Sequence, residues 1–158
     1  MARRNNPILA IPLSFFIALL LTAIPLPESV AYWRPEWVAI VLVFWVQNEP
    51  AWVGVWIAFI LGLLLDVLMG TAFGMHPLML AVLAYLVRLA NRWVSVFSLV
   101  QTSGLVLALV IVELLIKFIV LSIMGLMPNS VMFWLPALSS ALVWPTVMLS
   151  LRRWSRRF

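Results

Sequence analysis

Long apolar segments separated by short polar gaps take up most of this chain of 158 residues. Hydrophobic side chains make up 66 % of the sequence and charged side chains only 9 %, whereas about a quarter of the residues in a soluble domain are charged. No gap between apolar segments exceeds roughly a dozen residues, far fewer than the fifty or so that a separate soluble domain needs. The sequence therefore predicts a single all-α integral membrane domain over residues 1–158.

Six apolar segments are candidate transmembrane helices. A helix perpendicular to the membrane needs about 20 residues to cross it, so we expect the second and fourth segments to rely on flanking residues. The fifth segment is longer than the bilayer core requires and is expected to tilt. The approximate bounds of the six are 8–24, 36–48, 51–69, 77–90, 97–126 and 132–151.

The basic residues lie in short patches beside the apolar segments rather than along one exposed surface, which argues against a nucleic-acid partner. Six crossings place eight arginines on one side of the membrane and leave Arg34 alone on the other. Because lysine and arginine are enriched in cytoplasmic loops, this count predicts cytoplasmic N- and C-termini. The eight arginines, which also mark contacts with lipid, are Arg3, Arg4, Arg88, Arg92, Arg152, Arg153, Arg156 and Arg157.

An acidic residue in the third segment stands among regularly spaced glycines. Gly62, Asp66 and Gly70 recur at four-residue steps on one face of a helix, and Gly74 follows near the helix end. Small residues on one face let another backbone approach closely, and a charge in lipid is costly unless it is paired or buried in protein. Two interpretations stay open: a packing face with Asp66 as a hydrogen-bonded anchor, and a coupling or ligand site at Asp66.

Glu113 and Lys117 lie four residues apart in the fifth segment, acid before base, which favours an ion pair within one helix. Counting 1.5 Å per residue puts Asp66 and Glu113 at similar depths toward the outer leaflet. We therefore expect Asp66, Glu113 and Lys117 to form an intramembrane charge cluster in which both acids share the lysine. The alternative is a proton or substrate path.

Catalytic chemistry is not indicated. The chain has no cysteine and one histidine, His76, whereas zinc sites need three or four ligands. Nothing resembles a nucleophile with its base or a phosphate-binding glycine loop. The sequence therefore predicts no catalytic residue, no metal site and no cofactor.

Several motifs, in one order over nearly the full length, resemble the MreD family of bacterial rod shape-determining proteins. They are an N-terminal apolar helix ending in P-x-P, the aromatic-R-P-x-W sequence of residues 32–37, the G-x-x-x-D-x-x-x-G-x-x-x-G sequence of residues 62–74, an L-A-Y-L helix around Tyr85, and the L-V-W-P sequence of residues 142–145.

The resemblance implies a multi-pass protein of the bacterial inner membrane, with six helices folded like the substrate-binding subunits of energy-coupling-factor vitamin transporters. It implies a non-enzymatic role in the cell elongation complex, where the protein maintains rod shape by scaffolding MreC, RodA and a class B penicillin-binding transpeptidase, with MreB as an indirect partner. The likeness of fold keeps open an alternative, a small-molecule or lipid-binding membrane subunit. Candidates for helix packing or partner binding are Arg34, Pro35, Gly62, Asp66, Gly70, Gly74, Trp144 and Pro145.

Overall fold

The computed structural model describes residues 8–93 and 98–155, without the side chain of Trp93. Four of the arginines expected to fix the topology, Arg3, Arg4, Arg156 and Arg157, lie outside the described residues. So does residue 97, where the fifth predicted segment begins.

The described residues form an all-helical structure. Six longer helices coincide with the six predicted segments, while a four-residue helix and a 3₁₀ turn were not expected. In chain order the helices are α1 (Ala10–Ala23), α2 (Glu28–Ala31), α3 (Trp37–Asn48), α4 (Val55–Met69), α5 (Met75–Trp93), α6 (Leu99–Ile123), the 3₁₀ turn (Val131–Trp134) and α7 (Leu135–Ser155).

Local sequence explains several helix bounds. A capping box starts α6: the Ser98 hydroxyl accepts a hydrogen bond from the Gln101 N–H, and the Gln101 side chain accepts one from the Ser98 N–H. At the end of α4, Gly70 adopts a left-handed conformation with φ of 62°, a region that glycine enters at little cost. The third predicted segment is shorter than expected, because α4 begins at Val55 and not at residue 51.

The helices differ in their capacity to cross a membrane. Leu99–Ile123 and the continuous stretch Val131–Ser155 are each long and apolar enough to span one, and Ala10–Ala23, Trp37–Asn48 and Val55–Met69 are shorter apolar helices. At about 1.5 Å per residue the 12 residues of α3 extend roughly 18 Å. The short second segment thus remains short in the structure.

Helix α3 forms the centre of the bundle. Every residue from Val38 to Val46 is buried, and α3 packs against α1, α5, α6 and α7. Helix α4 lies against α5, and α6 lies against both α5 and α7. The indole N–H of Trp45 donates to the Ser14 hydroxyl at 2.7 Å, which joins α3 to α1 by a buried hydrogen bond.

Apolar side chains cover the outside of the bundle. Trp56, Val100 and Ile123 are each more than 80 % exposed, whereas soluble proteins rarely leave large apolar patches in contact with water. Buried polar residues such as Asp66 and Glu113 are shielded inside. This distribution is consistent with a membrane protein, in which lipid is the surrounding solvent.

Successive long helices run in alternating directions. The C-terminal parts of α1, α4 and α6 and the N-terminal parts of α3, α5 and α7 line one cavity together, so they lie at the same end of the bundle. This is called the Arg34 end. Arg88, Arg92, Arg152 and Arg153 lie near the other ends of α5 and α7.

Candidate functional site

Asp66, in the last turn of α4, closes the turn that leads into α5. Its Oδ1 accepts hydrogen bonds from the Thr71 hydroxyl at 3.0 Å, the His76 backbone N–H at 3.2 Å and the His76 ring Nδ1 at 2.7 Å. Its Oδ2 accepts from the Gly74 N–H at 2.6 Å. Because a carboxylate only accepts hydrogen bonds, the His76 ring donates from Nδ1 in this contact. Asp66 is therefore a fully hydrogen-bonded anchor, one of its two predicted roles.

The expected pairing of Asp66 with Lys117 is wrong. Across residues 8–93 and 98–155, the contact between the Asp66 carboxylate and the His76 ring is the only one within 4.0 Å between an acidic and a basic side chain. The donors that satisfy Asp66 lie five to ten residues further along the chain, where the turn brings them back to the carboxylate. Depth along a helix does not specify the direction in which a side chain projects, and so it did not identify these partners.

The three glycines of the Asp66 motif have two different roles. At Gly62 an added Cβ would lie 2.3 Å from the Pro77 nitrogen and 2.6 Å from the His76 carbonyl carbon, so two backbones of α4 and α5 meet there. Gly70 and Gly74 have φ of 62° and 98°, and an added Cβ would meet nothing within 4 Å at either. The prediction that Gly70 belongs to a packing face is therefore wrong: α4 has already ended, and both residues reverse the chain.

Next to this turn, at the Arg34 end, is a polar cavity of about 210 Å³. Four charged side chains and one histidine line it, and they come from the segment before α3, from α5 and from α6. We use the term polar cavity for the space bounded by Arg34, Glu36, His76, Glu113 and Lys117.

Glu113 and Lys117 both line the polar cavity, but they do not form the predicted close ion pair, since no such pair within 4.0 Å occurs in the part of the chain that the structure describes. Glu113 is 2 % exposed. Its Oε2 has no hydrogen-bond partner among the described residues. The predicted cluster of three charges is thus split, with Asp66 bonded in its own turn and the other two facing the cavity.

Arg34 ties the chain before α3 to the end of α1. Its guanidinium donates to the backbone carbonyl of Thr22 at 2.7 Å and to that of Ile24. Thr22 lies in the last turn of α1 and Ile24 is its C-cap, where backbone carbonyls have no partner within the helix. Pro35 lies before α3, which starts at Trp37. The N–H of the next residue, Glu36, donates to the Ser140 hydroxyl of α7 at 3.0 Å.

Trp144 and Pro145 lie within α7 and not at the polar cavity. The Trp144 side chain is completely buried, and its indole N–H has no partner in the described ranges. Pro145 is inside the helix, where it cannot donate to the carbonyl four residues earlier. Trp144 therefore contributes to the interior of the bundle, whereas Pro145 is only half-buried.

Glu36 is the cavity residue whose role the sequence analysis missed. A sequence signal existed, because Arg34 and Glu36 lie at the start of the second segment, at the same predicted end as Glu113 and Lys117. Within the described residues no group of three or more His, Asp or Glu side chains is arranged to hold a metal ion.

Comparison with known proteins identifies the family. The family model for rod shape-determining protein MreD matches residues 2–154. A rod shape-determining protein MreD of Haemophilus influenzae is 33 % identical over 152 residues, which cover 92 % of this chain and 90 % of the relative. No solved structure matches the chain. Because the match extends over nearly the whole sequence, the chain belongs to the MreD family of rod shape-determining proteins.

Proposed function

We propose that the protein is a non-enzymatic component of the bacterial cell elongation complex, in which it maintains rod shape by holding MreC, RodA and a class B penicillin-binding transpeptidase together during lateral peptidoglycan synthesis. The observation that carries the proposal is the family match over residues 2–154.

The proposal includes a location in the inner membrane with six crossings and cytoplasmic termini. The distribution of charge supports this topology. Arg88, Arg92, Arg152 and Arg153 lie at one end of the bundle and Arg34 at the other, as expected if the former end is cytoplasmic. Segments shorter than the hydrocarbon thickness, such as α3, are accommodated by thinning of the bilayer or by contact with neighbouring helices.

The exposed apolar surface supports a scaffolding role. Side chains on the outer faces of α4 and α6, among them Ile60, Leu64 and Ile111, are exposed and available to the membrane helices of other proteins. Gly104 on α6 is exposed as well, and no atom lies within 4 Å of an added Cβ. Helices associate in lipid through close packing at such small residues.

The buried candidates for helix packing or partner binding are not accessible to other proteins. Gly62, Asp66 and Trp144 are enclosed within the bundle, so we assign them to helix packing within the protein and not to direct partner contact. Substitutions at these positions would disturb folding first and partner binding only as a consequence.

Co-purification tests the proposal. The tagged protein, extracted in a mild detergent, is expected to bring down MreC, RodA and the transpeptidase, and to restore rod shape in a strain that lacks it. Gly104→Leu and Ile60→Trp enlarge exposed positions on α6 and α4. Loss of one partner with unchanged folded yield would identify the surface that the partner uses.

Recovery of none of the three partners with the wild-type protein would contradict a scaffolding role. Normal rod shape in the strain without any copy of the protein would contradict a role in shape.

A further inference from the structure

Two residues that line the polar cavity, Glu113 and Arg34, each carry a buried polar atom without a protein partner among the described residues. Oε2 of Glu113 can accept a hydrogen bond, and the Nε–H of Arg34 can donate one, yet within the described ranges neither meets a partner. Glu113 is 98 % buried, so bulk water does not compensate for the missing bond. Buried polar groups in folded proteins are almost always hydrogen-bonded. A molecule in this cavity would therefore have to offer both a donor and an acceptor.

The charges around the cavity indicate which donor and which acceptor a bound molecule would carry. Arg34 and Lys117 contribute two positive charges, and Glu36 and Glu113 contribute two negative charges. Glu36 and Lys117 are the charged neighbours close enough to act on the Glu113 carboxylate. Two neighbouring carboxylates favour a bound cation with N–H donors, whereas an arginine and a lysine favour an anionic acceptor.

The remaining histidine does not change this charge pattern. His76 lines the cavity from α5, and its Nδ1 is hydrogen-bonded to Asp66. Asp66 receives four hydrogen bonds from its own turn, so its carboxylate is not available as a partner for a cavity ligand.

The size of the cavity limits the ligand. Sites for drug-sized molecules have volumes of about 300–1,000 Å³, whereas the polar cavity has about 210 Å³. This space suits a small polar group, such as a lipid headgroup, better than a molecule of the size of a vitamin.

We propose that the polar cavity binds a zwitterionic group with a primary ammonium that faces Glu113 and Glu36 and a phosphate or carboxylate that faces Arg34 and Lys117. The headgroup of phosphatidylethanolamine carries this chemistry in the membrane, and phosphoethanolamine carries it in solution. Binding at this site is separate from the scaffolding role and does not depend on it.

Thermal unfolding of the purified protein in detergent tests the proposal. Dioctanoyl phosphatidylethanolamine is expected to raise the unfolding midpoint. Dioctanoyl phosphatidylcholine, whose quaternary ammonium has no N–H donor, is expected to bind at least tenfold more weakly. Phosphoethanolamine without acyl chains distinguishes the sources: stabilisation by it indicates a soluble ligand, and stabilisation by the lipid alone indicates a membrane ligand. Equal stabilisation by the two lipids would overturn the proposal. So would the absence of stabilisation by both dioctanoyl phosphatidylethanolamine and phosphoethanolamine.

A matched pair of variants locates the binding. Glu113→Gln keeps the side-chain shape but removes the charge, and we expect it to weaken phosphatidylethanolamine binding at least tenfold. Glu28→Gln alters an exposed acid in α2 outside the cavity and should bind as the wild type does. If Glu113→Gln does not give folded protein, Lys117→Gln replaces it, with the same expected loss.

Unchanged affinity in a folded cavity variant would show that the lipid binds elsewhere and would overturn the proposal. The comparison of the two lipids on the wild-type protein decides the question even if both variants fail to fold.

Discussion

The backbone nitrogen of Pro77 lies 2.3 Å from the position that a Cβ on Gly62 would occupy, and the Pro77 Cα lies 2.4 Å from it. Real Cβ atoms essentially never approach another heavy atom within 3.0 Å. Since the neighbouring atoms are backbone, they cannot move aside by a change of rotamer. The absence of a side chain at Gly62 therefore sets the distance between α4 and α5.

Gly62→Ala should destabilise the protein by about 1–3 kcal/mol, the usual cost of overpacking, because α4 and α5 must separate. Gly104→Ala is the matched control, since it adds the same methyl group to an exposed helical glycine with free space around it. We expect it to be neutral or to stabilise by up to about 1 kcal/mol through helix propensity. Unfolding in detergent, followed by circular dichroism, compares the two. Equal effects would contradict the close approach of the two backbones.

Asp66→Ala should be among the most damaging single substitutions at the Arg34 end. It leaves the buried backbone N–H of His76 without its acceptor, and each buried donor left unpaired costs about 1–3 kcal/mol. Asp66→Asn retains one acceptor oxygen and should lose less. Glu28→Ala, at an exposed position, serves as the control in the same unfolding measurement. If Asp66→Ala unfolds no earlier than this control, the hydrogen bonds of the turn do not stabilise the protein.

Substitutions of Gly70 distinguish its role in a turn from a role in helix packing. A left-handed residue at this position costs about 1–2 kcal/mol for most side chains but less for asparagine. Gly70→Asn should therefore be milder than Gly70→Ala, although asparagine is larger. The folded yield in detergent and the unfolding midpoint show which of the two substitutions is less damaging. The opposite order, in which damage increases with side-chain volume, would show that Gly70 packs against a neighbour.

The position of the C-terminus is tested by a fusion to alkaline phosphatase, which is active only outside the cytoplasm. We expect the C-terminal fusion to be inactive and a fusion within the segment between α1 and α3 to be active. Replacing the four C-terminal arginines by glutamine should weaken the preference for a cytoplasmic C-terminus. Each basic residue near an anionic membrane surface contributes about 1 kcal/mol of attraction to it. An active C-terminal fusion on the unaltered chain would contradict the six-crossing topology.

Helix positions could be predicted because they depend on local sequence. Long apolar segments broken by proline, glycine and charged residues indicate six helices, and the described part of the chain has six longer helices at these places. The extra short helix α2 follows Pro27, where no apolar segment of sufficient length exists to reveal it.

The arrangement of the charged residues could be predicted only in part. Spacing along the chain places Asp66, Glu113 and Lys117 at one end, but the side-chain directions depend on how the helices rotate against one another. The turn at Gly70 and Gly74 returns Thr71 and His76 to Asp66, and this makes a distant cation unnecessary. Glu36 was not among the predicted site residues, because only its position at the same end of the bundle, and no local pattern, relates it to α6.

The partners of Asp66 also affect how the protein is made. All of its hydrogen-bond donors lie within ten residues, so α4 and α5 can close as a hairpin before α6 and α7 are synthesised. During insertion the carboxylate would then move into the bilayer already enclosed by its own turn, and its desolvation would not depend on a helix that the ribosome has yet to produce. An ion pair with Lys117 could not form at this step, because Lys117 lies in α6, which is synthesised later.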